Sequence, residues 1–196
     1  MQLRGREAVM VRYVLTALVV ALATGVFCVG GLSRLAMSLL ASRNPQVAGR
    51  TSDDGFEMGV VTLAGSVNLA VVGIPLGIVG WLTYLVARPL LVGPAWFQWF
   101  SLTVPPGVVA ASLVVHPSGV DFTVLEPLWL AVGLFVAVPA TYGPIMHAVM
   151  LRVGGTPPGM RVAGRAPVVA WALRGLFAAW ATLALVSLWR DVLALT

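Results

Sequence analysis

The groups with the most chemical reach in this chain are two histidines, one cysteine and seven carboxylates. His147 comes first. It closes the stretch 139–147, read Pro-Ala-Thr-Tyr-Gly-Pro-Ile-Met-His, which lies inside a long apolar run. Pro139, Gly143 and His147 follow at steps of four, so a helix brings them loosely onto one face. Tyr142 adds a hydroxyl to the same stretch. An ionisable side chain inside an apolar run is a functional candidate, because burying its charge is costly. Such a histidine suits a proton relay or contact with an anionic headgroup. The blander role is a bond to a neighbouring helix.

A haem or metal centre needs more than one such group. His116 and His147 fall at opposite ends of neighbouring apolar runs, about 20 Å or more apart across a bilayer. They cannot be two axial ligands of one haem. Cys28 stands alone, so neither an intramolecular disulfide nor a thiolate metal cluster is available. Asp53, Asp54, Glu57, His116, Asp121 and Glu126 share no metal-ligand spacing and read as solvated loop charges and helix caps. No nucleophile elbow, phosphate-cradling loop, His-Glu-x-x-His or pair of intramembrane aspartates occurs. The apolar runs carry no Asp or Glu at their centres, which opposes an acid-driven proton pump. The expectation is a non-enzyme with no cofactor and no metal.

The elements that must hold these groups follow from composition. Hydrophobic residues make up 59% and charged residues 10%, too little charge to cover a soluble surface. Several apolar runs exceed the roughly 20 residues that cross a hydrocarbon core. They are continuous, unlike the short alternating strands of a barrel. The predicted fold is all-α: one polytopic integral membrane helical bundle over 1–196. Its spans are near 13–32, 58–87, 97–115, 128–151 and 168–188, with proline-bent central spans. All twelve basic residues are Arg, which with the Ala, Gly, Val and Leu richness suits a GC-rich bacterial source and the cytoplasmic membrane. These arginines cluster at span ends, where they meet lipid; no basic patch with interleaved aromatics points to nucleic acid.

Span one follows a basic start and reads as an uncleaved signal-anchor. Its helical spacing runs on through Leu35, Leu39 and Leu40 until Asn44-Pro45 stops it. Asp54 and Glu57 have capping-box spacing for span two. Arg4, Arg6, Arg12, Arg88, Arg152, Arg161 and Arg165 fall on one side, against Arg34, Arg43, Arg50 and Arg190 on the other. That bias predicts N-inside and C-outside. Arg174, just inside span five, is placed to snorkel to the interface.

Two sets of residues carry the functional expectations. Ser66, Ala70, Gly73, Gly77 and Gly80 recur at alternating steps of four and three, a small-residue seam that lets helices approach closely. Asn68 and Pro75 share another face of the same span. Pro75, Pro105, Pro106 and Pro139 fall near the midpoints of spans two, three and four. Carbonyls freed at one depth suit a midplane site, lined with Asn68, Tyr142 and His147. The seam favours a non-catalytic subunit or partner of a larger membrane assembly, its partners being lipid and a membrane protein or a second copy. The proline set favours a small transporter or channel component. The acidic loops leave a membrane-embedded sensor as a further alternative.

Overall fold

The computed structural model describes residues 2–52, 55, 57–118, 120–154 and 167–196. It is all-helical, and five of its helices are long and apolar enough to cross a membrane. The first rod comprises α1 (Gln2–Gly25), a π-helical segment (Val26–Leu32) and α2 (Ser33–Arg43), joined through helical φ and ψ at Gly25, Leu32 and Ser33. It ends where Asn44 leaves the helical region at φ −127° and ψ 62°. The ring of Pro45 disfavours a helical residue before it.

α3 (Leu63–Ala87) starts five residues later than the apolar pattern predicts. Residue 58 belongs instead to a small turn, with Met58 N–H donating to Arg50 O at 2.8 Å and Gly49 N–H to Met58 O at 3.2 Å. Glu57 pairs across that turn with Thr51, and Gly59 takes φ +83°, a conformation that ends any helical run. The cap is Thr62, whose hydroxyl accepts from Gly65 N–H at 3.1 Å. Asp53 and Asp54 lie outside the described residues, as do Arg161 and Arg165.

A 3-10 turn (Arg88–Leu90) ends α3 and leads to α4 (Ala95–Val114). A short α5 (Val120–Val124) interrupts the connection to α6 (Leu128–Val153), and α7 (Pro167–Leu195) is the last helix. Pro75 lies inside α3, Pro105 and Pro106 inside α4, and Pro139 and Pro144 inside α6; none of them terminates its helix.

Side by side, the order is α3, α1, α6, α4, α7. α1 lies between α3 and α4, while α3 reaches α6 through Tyr84 and His147 and through Gly80 and Tyr142. Apolar clusters fasten the two ends. At the Arg88 end, Tyr13, Ala17, Ala21, Tyr84, Leu102, Met146 and Met150 pack together. At the Asn44 end the cluster is Leu40, Val47, Ala111, Val115, Phe122, Leu125, Ala131 and Leu188.

Close backbone approach replaces the hydrophobic drive that lipid removes. A Cβ on Gly73 would stand 2.8 Å from Gly25 O, and one on Gly77 would stand 2.9 Å from Ala21 O. Both glycines therefore press directly on the backbone of α1. Ala70 faces Gly30 in the same contact. The α4–α6 contact has the same character: a Cβ on Gly143 would overlap the carbonyl of Leu102, and one on Gly107 would meet Ala140 at 2.7 Å. Pro106 has no N–H to offer Leu102 O, so that carbonyl turns its free capacity toward Gly143.

Candidate functional site

His147 is 3% exposed, near the end of α6. Its Nδ1 shares a 3.0 Å hydrogen bond with the Tyr84 hydroxyl of α3. Trp99 of α4 meets the imidazole edge to face, with centroids 5.1 Å apart. The Tyr84 hydroxyl lies in turn beside the Tyr13 hydroxyl of α1 and the Arg88 guanidinium. Four helices thus converge on one aromatic and polar cluster. Each takes its place by packing: Tyr13 and Tyr84 are both 3% exposed within the apolar cluster of that end.

One level deeper, the Tyr142 hydroxyl reaches Gly77 O at 3.1 Å and Ala21 O at 3.3 Å. The seam glycine Gly80 makes room for it, since a Cβ there would collide with the Tyr142 ring. Gly80 therefore serves α6, while Gly73 and Gly77 serve α1. Ser66 turns its hydroxyl back to Thr62 O at 2.9 Å and joins no interhelical contact through it. Cys28, within the π-helical segment, lies 3.4 Å from Thr141 Oγ1. Thr141 gives its own proton to Val138 O at 2.7 Å, so the thiol is the donor between them.

The residues expected at a midplane site fall in different places. Asn68 and Pro75 do share a face, but it is the exposed one. Pro75 lies two residues from both Gly73 and Gly77, about 200° round the helix, so the seam that docks on α1 turns Pro75 away. Pro105, Pro106 and Pro139 are half-buried at the α4–α6 contact. They do not meet Pro75. Two open depressions mark the surface. One is an apolar groove between the first rod and α6, lined by Leu35, Leu39, Leu134 and Thr141 among others. The second lies by Glu126, Pro127 and Thr196. None of the seven residues expected to line a midplane site borders either one.

Two further polar residues were not singled out as sites by their sequence positions. Asn44 is 1% exposed. Its Nδ2 donates to Leu40 O at 2.9 Å and to Glu126 O at 2.8 Å. Its Oδ1 accepts from Glu126 N–H at 2.8 Å and from Gln46 Nε2 at 3.1 Å. All four hydrogen-bonding sites of the amide are used, and the end of α2 is clamped to the start of α6. Arg174 is engaged with the protein. Its Nε donates to Leu90 O at 2.9 Å, and its Cζ sits 4.8 Å from the centre of the Trp171 ring. It ties α7 to the turn that ends α3.

Among the described residues no three of His, Cys, Asp and Glu come together as a metal site. His116 pairs locally with Ser118 at 3.2 Å, at the other end of the bundle from His147. The arrangement holds helices: hydroxyl, imidazole, thiol and amide groups each satisfy a group on another helix. No family model, curated protein or solved structure matches the chain.

Proposed function

We propose that this chain is a non-catalytic, multi-pass protein of the bacterial cytoplasmic membrane, N-terminus inside and C-terminus outside, that serves as a subunit or partner in a larger membrane assembly. The observation that carries this reading is the use made of the buried functional groups. His147 is bonded to Tyr84, Tyr142 to backbone carbonyls of α1 and α3, Cys28 to Thr141, and Asn44 to Glu126. A nucleophile or general base needs a free lone pair beside a substrate space. These groups instead bond between helices, and neither surface depression is lined by His147, Tyr142 or Cys28. The last helix is consistent with a further contact: α7 is joined to its neighbours along α4 and at the Arg88–Leu90 turn, and leaves Leu176, Trp180 and Leu183 exposed. The transporter reading has less support, because Asn68 and Pro75 of the expected midplane set lie on the exposed face of α3.

The test is the protein mass of the particle extracted from its own membrane in a mild detergent. A mass well above the 20.6 kDa of one chain is expected, from a partner or from further copies. A particle holding one chain and no companion would sink the proposal.

A further inference from the structure

At the Arg88 end, Arg174 flanks the turn with a donor unspent. Arg174 uses Nε on Leu90 O, yet its Nη2 is buried with no hydrogen-bond partner. Arg88, two residues before Leu90 and half-buried, turns its guanidinium to the Tyr84 hydroxyl. A buried guanidinium N–H without an acceptor is costly. The remedy is an anion with several acceptor oxygens.

Depth in the membrane identifies that anion. α7 has 29 residues, about 44 Å of helix against about 30 Å of hydrocarbon, so it overhangs by roughly 7 Å at each end. The hydrocarbon boundary then falls near residue 172. The Arg174 side chain leans toward the helix N-terminus, as helical side chains do, and reaches that level. Trp171 beneath the guanidinium and Trp96 at the start of α4, 67% and 68% exposed, are aromatic anchors of the same level. Lipid phosphate is the acceptor-rich anion held at this depth. Its planar oxygen pairs suit a guanidinium fork better than a point cation.

We propose that the Arg88–Leu90 turn, with Arg174 and Trp171, binds the phosphate of an anionic lipid headgroup. This site is independent of any assembly partner. The experiment is native mass spectrometry of the full chain in mild detergent, titrated with phosphatidylglycerol and, separately, phosphatidylcholine. One phosphatidylglycerol should stay bound where phosphatidylcholine does not. Arg174→Gln should weaken retention about fivefold, the value of one arginine at a membrane surface. Arg190→Gln, an exposed arginine at the other end of the same helix, should leave it unchanged. Should the Gln variant elute as an aggregate, Arg174→Lys takes its place; it keeps the charge, loses the fork and should still weaken retention. Undiminished lipid in a folded Arg174 variant overturns the site. Inorganic phosphate that displaces phosphatidylglycerol at equal concentration overturns the lipid as its ligand. Loss of a bound protein rather than a lipid in the variant also overturns it, in favour of a partner's carboxylate.

Discussion

His147 and Tyr142 stood out in the sequence for one reason, a polar group inside an apolar run, but they hold the bundle in different ways. The Tyr84 hydroxyl answers a ring nitrogen of His147 in a fully packed place. Removing it by Tyr84→Phe orphans that nitrogen, a loss of about 1–3 kcal/mol for a buried group. Tyr142 donates instead to Gly77 O and Ala21 O, carbonyls that keep their own helical donors. Tyr142→Phe strands no partner, so it should cost about 0.6 kcal/mol, the mean for an interhelical bond in a membrane. Unfolding of both variants by SDS titration in mixed micelles measures the difference. A Tyr142→Phe loss equal to or above that of Tyr84→Phe would show that the His147 pair is not a fastening. Asn44 was legible only as the residue before Pro45 that ends a helix. Nothing in the one-dimensional pattern says that its amide meets Glu126, 82 positions on, because an amide carries no mark of its partner.

At the scale of the helix, apolar runs announce five long helices, and the ends follow local chemistry. Where that chemistry is explicit, as at Asn44-Pro45, the end is readable. Where two caps compete, it is not: Thr62 takes the start of α3, and the Asp54–Glu57 spacing does not, because Glu57 is committed to a turn. The seam tells that α3 is approached closely but not by which helix. Gly25 and Gly30 on the first rod are the missing half, and in a glycine-rich chain nothing distinguishes them from other glycines. Equal depth alone does not place the prolines. Depth fixes height along a helix and leaves azimuth open, and azimuth decides whether Pro75 sees protein or lipid. The seam itself is open to test. A side chain at Gly73 or Gly77 meets the α1 backbone, which cannot yield as a flexible side chain can, whereas Gly133 and Gly175 have nothing within 4 Å of an added Cβ. Gly73→Leu and Gly77→Leu should sharply reduce the monodisperse fraction in size-exclusion chromatography, and Gly133→Leu and Gly175→Leu should not. Equal tolerance at all four positions would remove α3 from α1.

Over the whole molecule, tryptophans give the bundle a scale against the bilayer. Trp171 and Trp189 lie at the two ends of α7 and Trp180 halfway between, all of them exposed. Eighteen residues of helix span about 27 Å, close to the hydrocarbon thickness. Trp171 with Trp96, and Trp189 with Trp129, therefore stand at the two interfaces, where the amphipathic indole is favoured. Trp180 falls at the midplane, where its N–H finds no water. Among the described residues it has no hydrogen-bond partner, which makes this the most polar feature on the outer face of α7 at mid-depth. Fluorescence quenching by brominated lipids tests both its depth and its neighbour. In a chain reconstituted alone, bromine near the acyl terminus should quench a component that Trp180→Phe removes. Bromine near the headgroup should quench a different one, reduced by Trp189→Phe. In the assembly extracted from its own membrane, a partner seated on α7 should shield Trp180 from acyl-chain bromine while Trp189 stays open to quenching. If Trp180 is quenched equally in both preparations, α7 faces lipid there, and any partner must dock elsewhere on the bundle.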